Sequence, residues 1–399
     1  MMNKIPYGKC VYGKEEINSV LKCLKKSTQM GNEVSTFEEK IAKLFGKNYG
    51  IMVNSGSSAL TLAIKVLNLP KNSEIITPCL NFGTAISSII FNGHKPIFVD
   101  VNKETLQIDI SLIEKKINKK TKALLIPNLI GNVPDWIKIS KIAKKYKLKI
   151  IEDSADTLGG EIKNKPTGTY SDISITSFYG SHVISCAGNG GMLMLNSKSD
   201  YHKAKILRSW GRLSSTIKDS ENIKNRLNIT LSGIDYDRKF VFSELGYNFE
   251  PSEIGAAFGN VQLKKFKKFS KIRNINFNYH AKFFKKFSDF FIIPKVLPTV
   301  STNFLSYPII MRENKKFSRK QLQVFMENSG VQTRPIFTGN LLRHPAFKFL
   351  NNKNNNVNSF PESDYIMKYG LLIGCHQGLD LKSLDKIHNI VKIFLNKIR

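Results

Sequence analysis

Apolar residues in the first two-thirds of the chain recur as short runs, which alternate with segments of helical spacing. Between the runs, 59–67 has apolar residues on one helical face, and 135–146 is a basic amphipathic stretch. Strands alternating with helices predict an α/β fold with a mostly parallel sheet of seven strands flanked by helices. The predicted strands are 49–53, 74–77, 96–101, 122–127, 149–152, 174–177 and 192–195.

The last third of the chain has a different pattern. A lysine- and phenylalanine-rich helical stretch covers 263–290, an apolar segment follows at 307–311, and the asparagine-rich 351–358 is typical of an exposed loop. We therefore predict a large domain over 1–270 and a smaller C-terminal α/β domain over 271–399. Ligands of parallel sheets bind beyond the carboxyl ends of the strands, so residues that follow the predicted strands are the first candidates for a site.

Composition is that of an ordinary globular protein, with 41% hydrophobic and 23% charged residues in 399. No apolar run approaches the roughly 20 residues of a membrane helix, and the N-terminus has no signal segment, so no membrane partner is expected. Five scattered cysteines form no close pair, which argues against disulfides or a zinc site and favours a reducing cytoplasm.

The formal net charge of +30 has two interpretations. One is a basic face for nucleic acid or a membrane surface. The other is a lysine-rich residue usage spread over the whole surface, and the scattered lysine pairs favour this second interpretation. We therefore expect no nucleic-acid partner, although the positive field would help to draw in a phosphate-bearing substrate.

Three segments that follow predicted strands carry candidate chemistry. In 54–59 a glycine and the start of a helix suit a phosphate, and an ordinary capped helix start is the alternative. Asp153 lies at the end of another strand. A carboxylate there is able to hold a proton on the pyridine nitrogen of a cofactor, and the alternative is an ordinary acidic residue in a solvated loop. His182 lies between a strand end and the glycine-rich turn 188–191, although a lone histidine is more often structural than catalytic.

In their order along the chain, these segments resemble the DegT family of nucleotide-sugar aminotransferases, within the aspartate-aminotransferase superfamily. Each match is weak alone, but the collinear order is highly specific. The resemblance implies an aspartate-aminotransferase-like fold and pyridoxal 5'-phosphate or pyridoxamine 5'-phosphate as cofactor. The matching pieces are 30–31, 34, 37–38, 53–60, 78–84, 98–101, 152–156, 177–179, 245–248 and 334–335.

Most of that family carries a lysine four residues after its Ser-Phe pair, and this lysine forms a Schiff base with the cofactor. Here the position is His182, and no lysine lies between 166 and 197. An imidazole cannot form that bond, so the cofactor is expected to be held non-covalently. The pattern is similar to the sugar 3-dehydratase branch, which reads Ser-Phe-Tyr-x-x-His, and further similarity lies in 236–240, 338–341 and 374–377.

The resemblance implies how the cofactor phosphate would be held. Gly56, Ser57, Ser58 and Ser177 would bind it within one subunit. Asn248 would reach a phosphate across a dimer interface, because the active sites of this family are shared between subunits. A homodimer is therefore the expected assembly.

The resemblance also implies roles around the cofactor ring. Phe82 would stack on the ring, Asp153 would pair with its pyridine nitrogen, and Asp156 would lie near its hydroxyl. His182 would be the catalytic acid and base. The implied reaction removes the C3 hydroxyl of a nucleotide-linked 4-keto-6-deoxy sugar, whose C4 ketone condenses with the cofactor amine. Glutamate or another amino donor would regenerate that amine.

Two departures leave the precise reaction open. Asn189 stands where relatives usually carry a glutamate before the glycine pair, and the turn is one residue longer, counted from His182. The alternatives are aminotransfer on a nucleotide sugar and a non-catalytic binding relative that kept the fold. A second dehydratase type holds an iron–sulfur cluster on four cysteines, but Cys186 stands alone in this region, so no metal is predicted.

Three arginines are weaker candidates for the diphosphate or the sugar of the substrate. Each of them fits a surface or structural ion pair better than a binding role, so they stay outside the predicted site. They are Arg208, Arg212 and Arg334.

Overall fold

The computed structural model describes residues 4–217 and 219–398. In these ranges the α-helices are α1 (Lys14–Lys26), α2 (Asn32–Leu44), α3 (Gly56–Val66), α4 (Gly83–Phe91), α5 (Trp136–Tyr146), α6 (Lys198–Arg208), α7 (Ile223–Arg226), α8 (Glu253–Lys285), α9 (Arg319–Asn328), α10 (Pro361–Tyr369) and α11 (Leu381–Lys397). The strands are β1 (Tyr49–Val53), β2 (Glu74–Pro78), β3 (Lys95–Val99), β4 (Thr121–Pro127), β5 (Lys149–Ser154), β6 (Glu161–Ile162), β7 (Lys165–Pro166), β8 (Ile173–Ser177), β9 (Gly191–Leu195), β10 (Thr230–Leu231), β11 (Ile234–Asp235), β12 (Phe291–Ile292), β13 (Val300–Ser301), β14 (Ser306–Met311), β15 (Arg334–Pro335) and β16 (Gly370–Gly374).

The seven strands predicted in the first two-thirds of the chain form one sheet, in the order β1-β9-β8-β5-β4-β2-β3. β9 runs antiparallel to both of its neighbours, and all the other neighbours pair in parallel. The prediction of a mostly parallel seven-stranded sheet is therefore confirmed. Every predicted strand begins and ends within two residues of the observed one.

Helices cover both faces of this large sheet. Along β4, Ala123 and Leu125 face a core that α3 and α4 complete, while Leu124 and Ile126 face a second core that contains Trp136 of α5. Successive residues of a strand point to opposite faces, and both faces here are buried. This is why the strands of a covered parallel sheet appear in the sequence as continuous apolar runs.

The C-terminal part of the chain builds an antiparallel sheet in the order β12-β14-β16-β15. The preceding helix, α8, begins at Glu253, ten residues before the predicted stretch, and runs unbroken to Lys285. Its first half packs in a core of the large sheet through Phe269, and its second half packs in the core of the small sheet through Phe277. The predicted domain boundary near 270 falls inside this helix and stays a prediction.

The segment 351–358 is largely exposed, as predicted, with Asn355 as the exception. Asn355 is buried, donates to the Pro96 carbonyl at 2.9 Å and accepts from the Phe98 amide at 3.0 Å. Its side chain thus satisfies backbone groups of the edge strand β3, which otherwise have no strand partner on that side.

Three buried histidines lie around the small sheet. The Nε2 of His280 is 3.1 Å from the Gly374 carbonyl and donates to it, so its Nδ1 accepts a hydrogen bond from His388 Nε2 at 3.0 Å. The ring of His280 is therefore neutral. Burial lowers the pKa of His280 to about 3 and the pKa values of His388 and His376 to about 4.

We expect these histidines to make the fold sensitive to acid. Each pKa is lower in the folded than in the unfolded state, where it is about 6.5. As the pH falls from 6.5 towards 4, the unfolded chain therefore binds more protons than the folded chain does. Each ring then lowers the free energy of unfolding by about 1.4 kcal/mol per pH unit. Asp153 and Asp156 oppose this loss of stability. Burial raises their pKa values to about 6 and about 7, so at these two groups the folded chain takes up protons at a higher pH than the unfolded chain does.

The measurement is the urea midpoint at pH 7.5, 6 and 5, which should fall at each step. His388→Gln keeps an amide donor for His280 but does not titrate, so its midpoint should fall less steeply with pH. A midpoint that stays constant or rises on acidification would contradict the expectation.

Candidate active site

A cavity of about 350 Å³ opens beyond the carboxyl ends of β2, β4, β5 and β8, where the large sheet meets Leu305 and Phe337, which lie between strands of the small sheet. This is the position at which α/β sheets bind ligands. Seven of the nine predicted site residues line this cavity, and they are Gly56, Ser57, Phe82, Asp153, Asp156, Ser177 and His182.

The start of α3 forms a cradle in the cavity wall. Ser55 caps the helix by accepting a hydrogen bond from the Ser58 amide at 3.1 Å, and the other amides of the first turn have no partner within the helix. A Cβ on Gly56 would lie only 2.8 Å from the Cβ of Ser177, so glycine lets the helix start approach the end of β8. Helix amides beside the hydroxyls of Ser57 and Ser177 fit a phosphate dianion.

Asp153, at the end of β5, is a buried carboxylate without a protein cation beside it in the described residues. It is 5% exposed and accepts a hydrogen bond from the Ala155 amide at 3.0 Å. Burial raises its pKa to about 6; the amide of Ala155 opposes this rise, and the charge of Glu152 adds to it. A protonated pyridine nitrogen would supply the missing positive charge, so Asp153 fits a pyridoxal-type ring.

Asp156 is a second buried carboxylate in the same wall. Its Oδ2 accepts a hydrogen bond from the Ile130 amide at 2.9 Å. Burial raises its pKa to about 7; the Ile130 amide lowers it, and the charge of Asp153 raises it. Near neutral pH its carboxyl is divided between the protonated and the ionised form. It is thus able to accept a hydrogen bond from a ligand hydroxyl or to donate one.

His182 lies in the turn after β8. Its Nδ1 is 3.2 Å from the Ser177 carbonyl oxygen, which only accepts hydrogen bonds, so Nδ1 carries the proton and Nε2 keeps a free lone pair. Burial lowers the pKa of His182 to about 4; the bond to Ser177 opposes this, and the charge of Arg273 adds to it. A neutral imidazole with a free Nε2 is suited to accept a proton.

Ser58 and Asn248 lie outside the wall of this cavity. The Ser58 hydroxyl donates to Asn54 Oδ1 at 2.6 Å, so its observed contact stabilises the start of α3. Asn248 is exposed, and its carbonyl accepts a hydrogen bond from Asn54 Nδ2 at 3.4 Å. The binding roles of both residues, including that of Asn248 across a dimer interface, stay predictions.

Phe82 presents an aromatic ring that is 54% exposed at the cavity. It meets Phe337 edge-on with ring centroids 6.0 Å apart. The next residue, Thr338, donates its hydroxyl to the Asn81 carbonyl at 2.8 Å, which ties the two segments together. Thr338 therefore holds the segment that carries the Phe82 ring, which suits a stacking platform.

Several residues of the cavity had no signal in the sequence. Tyr7, Leu305 and Phe337 line it, and Arg273 lies behind His182. Burial raises the pKa of Tyr7 to about 12, against its hydrogen bond to Ser306. These residues come from segments far from the predicted strands, and no motif or spacing marks them.

The three weaker arginine candidates lie outside the cavity wall. Arg208 is 3% exposed and pairs with Glu38 at 2.7 Å, which is a structural ion pair. Arg212 places its guanidinium 4.1 Å from the ring centre of Trp210. Arg334 is exposed and lines an adjoining cavity.

In residues 4–217 and 219–398, no three side chains of histidine, cysteine, aspartate or glutamate are grouped to hold a metal ion. The five cysteines are all free. Within the same ranges, no helix has both the length and the apolar character that crossing a membrane requires.

The model of the DegT/DnrJ/EryC1/StrS aminotransferase family matches residues 11–392. The chain belongs to this family. The resemblance inferred from the collinear motifs is thereby confirmed. The match covers both sheets and every residue of the cavity wall except Tyr7.

The proteins to which this chain is similar have names that indicate different activities. The lipopolysaccharide biosynthesis protein RfbH of Salmonella typhimurium is 32% identical over 393 residues, which cover 96% of this chain and 89% of that protein. GDP-4-keto-6-deoxy-D-mannose 3-dehydratase of Escherichia coli O55:H7 is 31% identical, with 91% and 92% covered. GDP-perosamine synthase of Escherichia coli O157:H7 is 30% identical, with 90% and 94% covered.

Solved structures of GDP-4-keto-6-deoxymannose 3-dehydratases have the same fold as this chain. The E. coli GDP-4-keto-6-deoxy-D-mannose-3-dehydratase with bound hydrated PLP matches with a TM-score of 0.85 and 28% identity, over 98% of this chain and all of that one. A mutant of such a dehydratase (ColD) with bound GDP-perosamine gives a TM-score of 0.86 at 29% identity, over 97% and 100%. A third structure of the dehydratase holds a trapped PLP-glutamate geminal diamine, with a TM-score of 0.85 at 28% identity, over 97% and 99%.

Proposed function

We propose that this DegT family member is a 3-dehydratase that depends on pyridoxal or pyridoxamine phosphate. It removes the C3 hydroxyl of a nucleotide-linked 4-keto-6-deoxyhexose. One observation supports this reaction above aminotransfer: His182 lies in the cavity wall, and no lysine lines the cavity in the described residues. Because lysine is the side chain that forms a Schiff base with the cofactor, this site holds the cofactor without a covalent bond.

The residues of the cavity fit the cofactor from three sides. The start of α3 with Ser177 would hold the phosphate, Phe82 would cover a face of the ring, and Asp153 would hold the proton on the pyridine nitrogen. When bound, the cofactor supplies an amine for the C4 ketone of the sugar and a ring that accepts electrons as the C3 hydroxyl leaves. The protonated pyridine nitrogen of the bound cofactor would also remove the cost of burying the Asp153 charge without a partner.

His182 moves the protons of the reaction. Its Nε2 would accept a proton from the C4' carbon of the cofactor, because the Ser177 carbonyl holds the imidazole with Nδ1 protonated and Nε2 free. The resulting imidazolium then donates a proton to the departing C3 oxygen, so that water leaves instead of hydroxide. One side chain therefore serves first as base and then as acid.

The cavities and the relatives support the proposed substrate class. A second cavity adjoins the first, shares Tyr7 and Tyr179 with it, and is lined by Lys9 and Arg334. We assign it to the nucleotide diphosphate, since cations there match the phosphate charges. Glutamate is the proposed amino donor, in keeping with the relative that holds a PLP-glutamate adduct.

A homodimer is also part of the proposal. The segment 210–245 leaves an unusual number of large apolar side chains in solvent, as an uncovered subunit interface does. Asn248 follows this segment, so a second subunit that covers it would bring Asn248 close to a neighbouring site. The exposed side chains are Trp210, Ile223, Leu227, Leu231, Ile234, Tyr236, Phe240, Phe242 and Leu245.

The proposed activity is tested by product analysis. The protein is incubated with pyridoxal phosphate, glutamate and a panel of 4-keto-6-deoxy sugar nucleotides, and the products are identified by mass spectrometry and NMR. We expect a 3-deoxy-4-keto sugar. A product that keeps its C3 oxygen and gains an amine at C4 would replace dehydration with aminotransfer. Absence of cofactor binding would favour a non-catalytic relative.

A further inference from the structure

Arg273, in the middle of α8, is a fully buried arginine that no carboxylate neutralises in the described residues. It is 0% exposed, and the charges that interact with it come from Cys375 and Tyr7. Burial raises the pKa values of both groups to about 12, so both are neutral at pH 7. Burial lowers the pKa of Arg273 itself only to about 10, so it remains a cation. An unpaired buried charge is costly and calls for a reason.

The guanidinium group donates four hydrogen bonds, two of them to carbonyls of residues that line the cavity. Nη2 donates to the His182 carbonyl at 3.2 Å, and Nη1 donates to the carbonyls of Phe304 and Leu305 at 2.9 and 3.0 Å. Nε donates to Gln377 Oε1 at 2.7 Å, and Gln377 Nε2 donates to the Val183 carbonyl at 3.2 Å. Two side chains thus hold consecutive carbonyls of the turn that carries the imidazole.

The same contacts extend to the acid side of the cavity. The amide of Leu305, whose carbonyl accepts from Arg273, donates to the Ile130 carbonyl at 2.9 Å. The amide of Ile130 in turn donates to Asp156. Arg273 therefore connects His182, the proposed base, with Asp156. The connection runs through the backbone at Leu305 and Ile130.

We propose that Arg273 and Gln377 form a clamp that positions His182. The positive charge of Arg273 adds to the effect of burial, which is the main reason why the imidazole stays neutral before it accepts a proton. This inference rests on the proposed function of His182 and adds two positioning residues to it. Arginine suits the task, because its planar fork holds several carbonyls at once and its charge persists when it is buried.

The other titratable groups near Arg273 and His182 do not supply a positive charge. Tyr7 and Cys375 are neutral, and His376 is neutral too, because burial lowers its pKa to about 4 with a contribution from Arg273. The carboxylates of the cavity act in the opposite direction, since a negative charge favours imidazolium. The other titratable groups that line the cavity with His182 are Tyr7, Tyr179, Asp153 and Asp156.

The test measures the pKa of His182 directly, by NMR titration of the holoenzyme with histidine labelled at Cε1. His182→Asn identifies its signal among the seven histidines. Arg273→Met removes the charge and should raise this pKa by about one unit. Gln377→Glu places a carboxylate beside the retained arginine and should raise it as well. Arg273→Lys should keep the low pKa but lower kcat about tenfold, because lysine cannot hold the carbonyls in the fork geometry.

Arg208→Met is the matched control, since it removes a buried arginine that binds Glu38 and the Met52 carbonyl instead. It should cost stability and leave the pKa of His182 unchanged. The clamp is overturned if the pKa of His182 is the same in Arg273→Met and Gln377→Glu as in the unaltered protein. Should the pKa shifts occur while His182→Asn retains full dehydration, the clamp stands and the proposed role of His182 fails.

Discussion

His182→Asn is expected to lower kcat for 3-deoxy sugar formation by about 10²–10⁴-fold, the range that positioned acid–base groups supply. The amide side chain of asparagine has no basic nitrogen, so neither the first proton transfer nor protonation of the leaving oxygen is assisted. Cofactor binding should persist, because the groups that fit the phosphate and the pyridine nitrogen are unchanged. Steady-state kinetics and the absorbance of the bound cofactor measure the two effects separately.

His182→Lys is the informative companion variant. A lysine at this position should form a covalent bond with pyridoxal phosphate, which borohydride reduction and mass spectrometry detect, and dehydration should be lost. The tethered cofactor would resemble that of the aminotransferases in the DegT family.

The asparagine variant supplies the outcome that would contradict the mechanism. If His182→Asn retains at least half of the kcat, the imidazole is not the acid–base group, and the proposed mechanism is wrong.

Local signals in the sequence were sufficient for the large sheet and pointed to three positions of the cavity wall, whereas the other predicted residues of the wall came from the family resemblance. Strands buried on both faces appear as continuous apolar runs, which is why all seven were found within two residues of their ends. Gly56, Asp153 and His182 were found because each follows such a strand. The carboxyl ends of parallel strands meet at one edge, so residues that lie far apart in the chain were placed together correctly.

The remaining parts of the site depend on contacts that no local pattern encodes. Arg273 has the spacing of an ordinary residue in a basic helix, and its contact with the His182 carbonyl joins residues 91 positions apart. Tyr7 reaches the cavity from the N-terminus and bonds to Ser306, 299 positions away. The start of α8 was missed because Glu253–Gln262 is less basic than the stretch that follows it, although the Ser252 side chain caps the helix there.

Asp153→Asn is expected to lower kcat by about 10²–10³-fold, comparable to the loss of a preorganised charge contact in an active site. The cause is electronic. A carboxylate stabilises the proton on the pyridine nitrogen, and that proton makes the ring a good acceptor of electrons as the C3 hydroxyl leaves. Asparagine keeps the shape and the hydrogen bond from Ala155 but lacks the charge. The cofactor should also bind more weakly, which equilibrium dialysis measures.

The pH dependence of cofactor binding follows from the same residue. Burial raises the pKa of free Asp153 to about 6, so cofactor affinity should fall as the pH drops below 6 and the carboxylate takes up a proton. The Asp153→Asn variant should lose this acid limb, since its side chain does not titrate.

Asp156→Asn is the matched control. With a pKa of about 7, Asp156 is already partly protonated at neutral pH, and its amide variant can still accept from Ile130, so the loss in kcat should be at least tenfold smaller. Equal losses in the two variants would show that neither carboxylate pairs specifically with the pyridine nitrogen, and the orientation proposed for the ring would then have to be abandoned.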